Sequence, residues 1–350
     1  MQPAVFHAIG LMSGTSLDGL DVCFARFEKK ECWEFEILKA ETLPYSPAWE
    51  SRLADAIHLP SEALLELHSG YGFYLGKCVK NFIQKHQLQN VDLIASHGHT
   101  VFHQPQKKFT LQIGDGRAIK LETGLPVIYD FRSQDVLMGG NGAPLVPIGD
   151  ELLFSRYEAC LNLGGFSNIS LKINNQRVAF DIAPVNIILN VPARHFHKKF
   201  DENGDLARTG HISEDLLSEL NSLAFYQQPC PKSLGIEWCN EYIFPLCKET
   251  PPLDLLATFT EHASVQISKV LNENQLKKVL FTGGGTYNSF LIEKIRARTA
   301  AEIIIPGKEL IDFKEALIFA FMGVLRLNNE VNVLGSATGS SKDHCSGVIA

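Results

Sequence analysis

The pattern of apolar and polar positions predicts an α/β protein in which short strands alternate with helices. An apolar run over residues 4–9 and an alternating run over residues 22–27 predict two strands, which a glycine-rich loop joins. Apolar residues at helical spacing predict helices over residues 61–84, 115–122, 212–224, 253–271, 289–299 and 312–326. Short apolar runs predict further strands within residues 33–38, 91–95, 109–114, 126–131, 159–173, 177–180, 278–282 and 303–306.

The loop between the first two strands is richer in polar groups than a turn requires. Gly14 and Gly19 allow positive φ angles and the close approach of a ligand. Consecutive backbone amides in such a loop form a concavity suited to phosphate oxygens, and carboxylates are suited to Mg²⁺. Its hydroxyl and carboxylate side chains are Thr15, Ser16, Asp18 and Asp21. The alternative is a plain hairpin, because Asp-Gly is a common turn dipeptide.

The second half of the chain begins by repeating this layout. Residues 159–173 again predict a strand, a turn at Gly164 and Gly165 with hydroxyl and amide groups nearby, and a second strand. Two such hairpins, each opening a half of the chain, predict a duplicated α/β domain with a nucleotide between the copies. Coincidence of two hairpins is the alternative.

A loop dense in glycine and proline, residues 138–147, indicates the junction between the halves. We therefore predict an N-terminal domain over residues 1–132, which carries the first phosphate loop. The C-terminal domain, residues 133–350, carries the second phosphate loop.

A third glycine-rich segment follows the predicted strand at residues 278–282. Gly283, Gly284 and Gly285 stand between that strand and a predicted helix. Glycines permit close backbone approach, and the amino end of a helix favours negative charge, so this segment indicates a nucleotide site.

Asp181 and Glu315 are candidates for chemistry that needs a carboxylate. Asp181 ends a strand and is placed for general base work, or it caps the segment that begins at Asn186. Glu315, early in the last long helix, orients Mg²⁺ or serves as a first-turn partner of the helix dipole.

Three basic residues are candidates for contacts with a substrate. Arg132 either grips a carboxylate or phosphate or forms a salt bridge with Asp130 or Asp135. His97 lies in a polar segment after a buried strand, where α/β sheets place ligands, and a polar substrate is favoured over a metal there. Lys232, in a proline-rich loop, touches substrate or is simply solvated.

Composition excludes several classes of protein. The chain has 350 residues, 45% of them hydrophobic, and a net charge of -7 with no basic run, which argues against nucleic acid or an anionic membrane as partner. Eight cysteines without a CxxC pair indicate reduced thiols in a cytoplasmic protein, not a zinc site. We expect no signal peptide and no membrane span, since no apolar run approaches about 18 residues.

These stretches together resemble the anhydro-N-acetylmuramic acid kinase family. Its motif Gly-Thr-Ser-x-Asp-Gly-x-Asp is matched in full at residues 14–21. The resemblance continues in the family's order at residues 96–105, 130–132, 139–147, 162–168, 181–186, 231–233, 283–288 and 314–316.

The resemblance implies a two-domain actin/hexokinase/Hsp70-like (ribonuclease H-like) fold with a duplicated core and ATP in the interdomain cleft. Family members hydrolyse the anhydro bond of 1,6-anhydro-N-acetylmuramic acid and phosphorylate its 6-oxygen in cell-wall recycling. Asp181 is then the base, and Asp18 and Glu315 place Mg²⁺. The residues implied at ATP are Gly14, Thr15, Ser16, Leu17, Asp18, Gly19, Leu20, Asp21, Gly164, Gly165, Gly283, Gly284 and Gly285. Those implied at the sugar are His97, Arg132, Asn186 and Lys232.

The chain departs from the family pattern beside the predicted base. The family's Asp-Thr-Gly-Pro-Gly-Asn reads Asp-Ile-Ala-Pro-Val-Asn over residues 181–186, and two glutamines and one arginine are also replaced. The departures are Ile182, Ala183, Val185, His99, Asn141 and Phe102. We expect the larger apolar groups to shrink the pocket and the lost cation to weaken binding of a lactyl carboxylate. A kinase for another anhydrosugar and a silent nucleotide-binding homologue therefore stay open, as does a homodimer.

Overall fold

A computed structural model describes residues 4–14 and 17–350, so the predicted ligand residues Thr15 and Ser16 lie outside the described residues. The chain divides into two compact units. The first comprises Met1–Phe154 together with Phe313–Ala350, and the second comprises Ser155–Asp312.

Every predicted strand and helix occurs, with ends shifted by a few residues. The strands are β1 (Ala4–Ser13), β2 (Leu20–Lys29), β3 (Trp33–Leu43), β4 (Leu93–Ser96), β5 (His99–Gln104), β6 (Phe109–Ile113), β7 (Val127–Tyr129), β8 (Ala159–Leu163), β9 (Phe166–Ile173), β10 (Gln176–Pro184), β11 (Lys278–Thr282), β12 (Glu302–Ile304) and β13 (Val348–Ile349). The α-helices are α1 (Pro47–Ala54), α2 (Ser61–His86), α3 (Gly116–Thr123), α4 (Ser133–Leu137), α5 (Pro147–Leu152), α6 (Asn186–Ala193), α7 (Glu214–Ser222), α8 (Ile236–Trp238), α9 (Pro252–Glu273), α10 (Ser289–Arg296), α11 (Lys308–Leu327) and α12 (Gly335–Thr338).

The two units contain the same sheet. In the first unit the strand order is β3-β2-β1-β4-β7, and β13 extends it beyond β7. In the second unit the order is β10-β9-β8-β11-β12. In both, the first three strands of the order pair antiparallel, and the last two join the sheet in parallel. The predicted duplication and fold class are therefore confirmed, while nucleotide binding between the copies stays a prediction.

The boundary predicted at residues 132 and 133 differs from the observed division. The reason lies in contacts between segments that are distant in sequence. A methyl group added to Gly10 of β1 would collide with the carbonyl oxygen of Ala316 and lie 2.8 Å from the amide nitrogen of Ala320, both on α11. Gly323 of α11 likewise packs on Ala95 of β4. Because glycine allows this close approach, residues from 313 onward belong to the first unit.

Each unit has its own apolar core. In the first, residues of α2 such as Tyr71, Leu75 and Phe82 pack with β1, β2 and β4. In the second, residues of α6, α9 and α10 pack with β8, β9 and β10. Within the described residues, none of the helices combines the length and apolar character that a membrane crossing requires.

Candidate active site

Both glycine-rich turns of the second unit follow strands that end at the same edge of its sheet. Strands β8 and β11 are parallel neighbours, with Asn162 in register with Thr282. The turn at Gly164 and Gly165 follows β8, and the segment 283–285 follows β11. The carboxyl ends of parallel strands are where α/β sheets bind ligands.

Asn186, at the start of α6, lies against both turns. Its amide nitrogen donates to the Gly164 carbonyl at 3.3 Å, and its side-chain Nδ2 donates to the Leu163 carbonyl at 3.3 Å. A methyl group on Gly285 would lie 2.8 Å from Leu163 Cβ and 3.5 Å from Asn186 Nδ2. The structure thus brings together the predicted residues of three separate segments.

A row of polar residues crosses this sheet in register. Asp181 on β10 pairs with Asn168 on β9, which pairs with Asn162 on β8, which pairs with Thr282 on β11. Paired residues of neighbouring strands point to one face of a sheet. Asn168 is therefore the direct neighbour of Asp181, with Asn162 one strand beyond it, and neither asparagine was predicted individually. Their positions within the second hairpin were the available signal, but the register that aligns them is a tertiary property.

The Asp181 carboxylate is held by the loop before α8. Its Oδ2 atom accepts hydrogen bonds from the Leu234 amide at 2.8 Å and from Ser233 Oγ at 3.1 Å. Burial raises the pKa of Asp181, and the hydrogen bonds from Leu234 and Ser233 partly oppose that rise. A half-buried carboxylate with a raised pKa suits a general base. The alternative role as cap of α6 has no support, because its N-terminal cap residue is Val185 and makes no side-chain capping bond.

The residues beside Asp181 that depart from the family pattern are buried in the apolar core of the second unit. Ile182 is 1% exposed, and Ala183 and Val185 are fully buried in the apolar cluster with β8 and α6. Their side chains pack with other apolar groups, so they give no support to the expectation that they shrink a substrate pocket.

Lys232 is partly buried and its ammonium has a protein partner. Nζ donates to the Phe225 carbonyl at 3.0 Å and lies 4.5 Å from the centre of the Phe225 ring. Burial lowers the pKa of Lys232. The simple solvated alternative is therefore wrong, and the predicted contact with sugar stays a prediction.

In the first unit, the described part of the phosphate loop departs from expectation in one respect. The positive φ angle belongs to Leu17, at 60°, and Gly19 takes an ordinary φ. Gly19 is needed for packing, since a methyl group there would lie 2.6 Å from the Leu43 carbonyl of β3. Asp18 is exposed, and Asp21 Oδ1 accepts a hydrogen bond from Thr42 at 2.5 Å. Gly14 and Leu20 bracket the loop at the ends of β1 and β2.

His97 and Arg132, both predicted at the sugar, are hydrogen-bonded to each other. Arg132 Nε donates to His97 Nε2 at 2.9 Å, and Arg132 Nη1 donates to the Gly142 carbonyl at 2.6 Å. His97 Nδ1 donates to the Gly98 carbonyl at 2.9 Å, which fixes the neutral tautomer. Burial and the Arg132 charge hold the pKa of His97 well below its usual value.

Arg132 itself is strongly desolvated, and burial lowers its pKa to about 10. The expected alternative, a salt bridge to Asp130 or Asp135, is not formed among the described ion pairs, although the charges of Glu315 and Asp135 favour the ionised guanidinium. Arg132 is thus held by a histidine and a carbonyl and keeps its positive charge, and it forms no ion pair with a carboxylate of the described residues.

Glu315 belongs to the same electrostatic group. Desolvation raises the pKa of Glu315; the Arg132 charge opposes the rise, and the Asp21 charge adds to it. The described contacts of Asp18 include none with Glu315, and the described residues contain no cluster of three metal-binding side chains. The predicted pairing of Asp18 and Glu315 at a metal stays a prediction.

The remaining departures from the family pattern lie in the first unit. His99 is buried and its Nδ1 lies 3.0 Å from Ser13 Oγ, to which Tyr45 also donates. Phe102 packs edge-on against Phe109. Asn141 is exposed and its amide donates to the Thr338 carbonyl at 2.8 Å.

A duplicated α/β fold with glycine turns at the strand ends, and a carboxylate in register beside them, fits an ATP-dependent sugar kinase. The family model for anhydro-N-acetylmuramic acid kinase matches residues 6–350. The chain belongs to this family.

Sequence similarity to known anhydro-N-acetylmuramic acid kinases extends over nearly the full length of the chain. The anhydro-N-acetylmuramic acid kinase of Pasteurella multocida is 34% identical over 97% of this chain and 95% of its own. That of Francisella tularensis subsp. novicida is 33% identical over 95% of this chain and 96% of its own. That of Bacillus thuringiensis is 32% identical over 97% of this chain and 96% of its own.

Proposed function

We propose that this chain hydrolyses the 1,6-anhydro bond of anhydro-N-acetylmuramic acid and phosphorylates O6 with ATP, giving N-acetylmuramic acid 6-phosphate. The observation that carries the proposal is that the family pattern spans residues 6–350 and keeps its acid at Asp181. That carboxylate stands in register with Asn162 and Asn168, at the edge where the glycine turns of the second unit meet.

Asp181 is proposed as the base. Its Oδ2 atom already accepts two hydrogen bonds, which leaves Oδ1 for the proton of a water molecule. That water attacks the anomeric carbon, and the bond from this carbon to the bridging oxygen breaks. The freed 6-oxygen attacks the γ-phosphorus of ATP, and ADP leaves.

The glycine segment after β11 fits a nucleotide. A methyl group on Gly284 would meet no described atom within 4 Å outside its chain neighbours. Backbone that is open on one side and unshielded by a Cβ atom permits close approach of a flat ligand. We propose that residues 283–285 and 164–165 contact ATP, and contact of its phosphates with residues 14–21 stays a prediction from the sequence.

The first unit supplies carboxylates that suit Mg²⁺. Asp21 and Glu315 are near enough for the charge of one to raise the pKa of the other. One or two carboxylates with water and nucleotide phosphates form a usual Mg²⁺ site. We propose that Glu315 and the exposed Asp18 hold the ion, directly or through water. When bound, Mg²⁺ neutralises charge that develops on the phosphates.

Arg132 is proposed to contact the lactyl carboxylate of the sugar. Its guanidinium is desolvated, is oriented by His97 and retains its charge, so an anionic group would gain a charge-assisted hydrogen bond. Contact of Asn186 with the sugar stays a prediction that the family resemblance implies. A cytoplasmic location and a homodimer remain parts of the proposal.

Measurement of ADP release with a panel of anhydrosugars tests this function. We expect release with 1,6-anhydro-N-acetylmuramic acid to exceed release with the corresponding sugar that lacks the lactyl group. Faster release with the sugar that lacks the lactyl group would favour the alternative function, a kinase for another anhydrosugar. ATP binding without ADP release on any sugar would favour a silent homologue.

A further inference from the structure

The short segment Pro231–Leu234 contacts Asp181 at three points. The Asp181 amide donates to the Lys232 carbonyl at 2.9 Å. The Asp181 Oδ2 atom accepts from the Leu234 amide at 2.8 Å and from Ser233 Oγ at 3.1 Å. One segment therefore fixes both the main chain and the carboxylate plane of the proposed base. In the described part of the chain, no donor reaches Oδ1.

Lys232 ties this segment to a different part of the second unit. Its ammonium donates to the Phe225 carbonyl at 3.0 Å and lies over the Phe225 ring at 4.5 Å. The ammonium contacts a buried carbonyl and an aromatic ring, and both contacts hold the loop in position. Lys232 therefore anchors the loop.

The anchor point is rigid. Phe225 is 4% exposed and belongs to the apolar core. The next residue, Tyr226, is 2.7 Å through its hydroxyl from Nε2 of His262, which is fully buried on α9. The contact between Lys232 and Phe225 thus connects Asp181 to the core of the unit.

We propose that Lys232 is a positioning residue for Asp181, and that Ser233 with the Leu234 amide reserves Oδ2 and leaves Oδ1 as the atom that takes the proton. This inference rests on the proposed function. It replaces the expected contact of Lys232 with sugar by an action through the loop.

The surroundings of Asp181 allow a test by pH. Its pKa is raised by burial and lowered by the Leu234 amide and the Ser233 hydroxyl. Across the sheet its register neighbour is the uncharged Asn168. On the loop side, burial lowers the pKa of the Lys232 ammonium, on which Cys230, Lys269 and Glu273 also act; the Lys232 charge is not among the causes of the Asp181 pKa shift.

The first experiment separates positioning from sugar binding by steady-state ADP release. Lys232→Met is expected to lower kcat by about tenfold or more while KM for the anhydrosugar stays near the wild-type value, because a misplaced base slows chemistry and not binding. Lys232→Arg, which can still donate to the Phe225 carbonyl, is expected to recover much of the rate. Lys199→Met, an exposed lysine of the same unit, is the control. A raised sugar KM with unchanged kcat in Lys232→Met overturns the inference.

The second experiment follows the pH profile of kcat/KM. Ser233→Ala removes a donor that favours the ionised carboxylate, so the acid limb is expected to move up by about one pH unit. Ser233→Thr keeps a hydroxyl and is expected to keep the wild-type profile. Ser222→Ala, whose hydroxyl donates only to the Glu219 carbonyl, is the control. An unmoved acid limb in Ser233→Ala contradicts the assignment of Oδ2.

Turnover by the wild-type enzyme distinguishes failure of the proposed function from failure of the inference about Lys232. No sugar-dependent ADP release from the wild type overturns the proposed function. Normal wild-type turnover with a pure KM effect in Lys232→Met overturns only the inference about Lys232. Thermal denaturation identifies a variant that fails to fold. If Lys232→Met fails to fold, the kcat of Lys232→Arg and the pH profiles of the Ser233 variants test the inference instead.

Discussion

Two neighbouring glycines after β11 have opposite surroundings, and substituting each by alanine separates folding from nucleotide binding. Gly283 has φ 84° and ψ 158°, a region that only glycine occupies readily. A methyl group there would collide with Asn162 Oδ1 and lie 2.9 Å from the carbonyl carbon of Leu163. Gly284 has no such neighbours, since a methyl group there meets no described atom within 4 Å beyond its chain neighbours.

The loss of stability expected for Gly283→Ala has two contributions, the strained backbone conformation and the steric overlap of the added methyl group. The backbone strain costs about 1–3 kcal/mol, and the overpacking costs about 1–3 kcal/mol more. The free energy of unfolding is therefore expected to fall by about 2–6 kcal/mol, which corresponds to a Tm lower by about 4 °C or more. Differential scanning calorimetry on the full chain measures this.

Gly284→Ala is expected to leave Tm unchanged and to weaken ATP binding. If the open side of residue 284 is where the nucleotide lies, a methyl group intrudes on the ligand, and KM for ATP is expected to rise by about tenfold. The sugar KM is expected to stay the same. A wild-type KM for ATP in Gly284→Ala would refute the placement of ATP at this turn, and an unchanged Tm in Gly283→Ala would refute the packing argument.

Further outcomes follow from other parts of the molecule. Asp181→Asn is expected to abolish sugar-dependent ADP release and to leave ATP affinity intact by calorimetric titration; loss of both would indicate a structural role. Because burial raises the pKa of Asp181 and the base must be ionised, wild-type activity is expected to be present above that raised pKa and to decline as pH falls through it, in a range above the ordinary aspartate value. Gly10→Ala is expected to lower the free energy of unfolding by about 1–3 kcal/mol or more in urea titrations, whereas Gly70→Ala within α2 is expected to raise it by up to about 1 kcal/mol. Removal of Mg²⁺ by a chelator is expected to stop turnover reversibly; unaffected turnover would remove the metal role of Asp18 and Glu315.

The sequence was sufficient for most of the longer elements and for the duplication because these depend on local patterns. The hairpins around residues 14–19 and 164–165 have the same layout, and the sheets that contain them have the same strand order. The strand β5 was not predicted because four of the six residues in its sequence, His-Thr-Val-Phe-His-Gln, are polar. It is stabilised by pairing with β6, which a local pattern does not reveal.

Properties that depend on distant contacts were not predictable. From residue 313 onward the last long helix belongs to the first unit, because Gly10 and Gly323 allow it to pack on β1 and β4. From the sequence, Ile182 and Val185 are expected to shrink the pocket beside the base, but in the structure they pack in the apolar core. The direction of a side chain at a bulged strand end depends on register, and β10 shifts register between Asp181 and Ala183.

The central claim is that Asp181 activates a water molecule while the freed 6-oxygen receives the phosphoryl group. The most direct measurement is mass spectrometry of the product formed from 1,6-anhydro-N-acetylmuramic acid and ATP in oxygen-18 water, quenched early and compared with finished product placed in the same water. We expect one oxygen-18 atom on the sugar at C1, none in the phosphate, and a 6-phosphate. A phosphorylated sugar that retains the anhydro bridge, or ADP formed without labelled sugar, would contradict this claim.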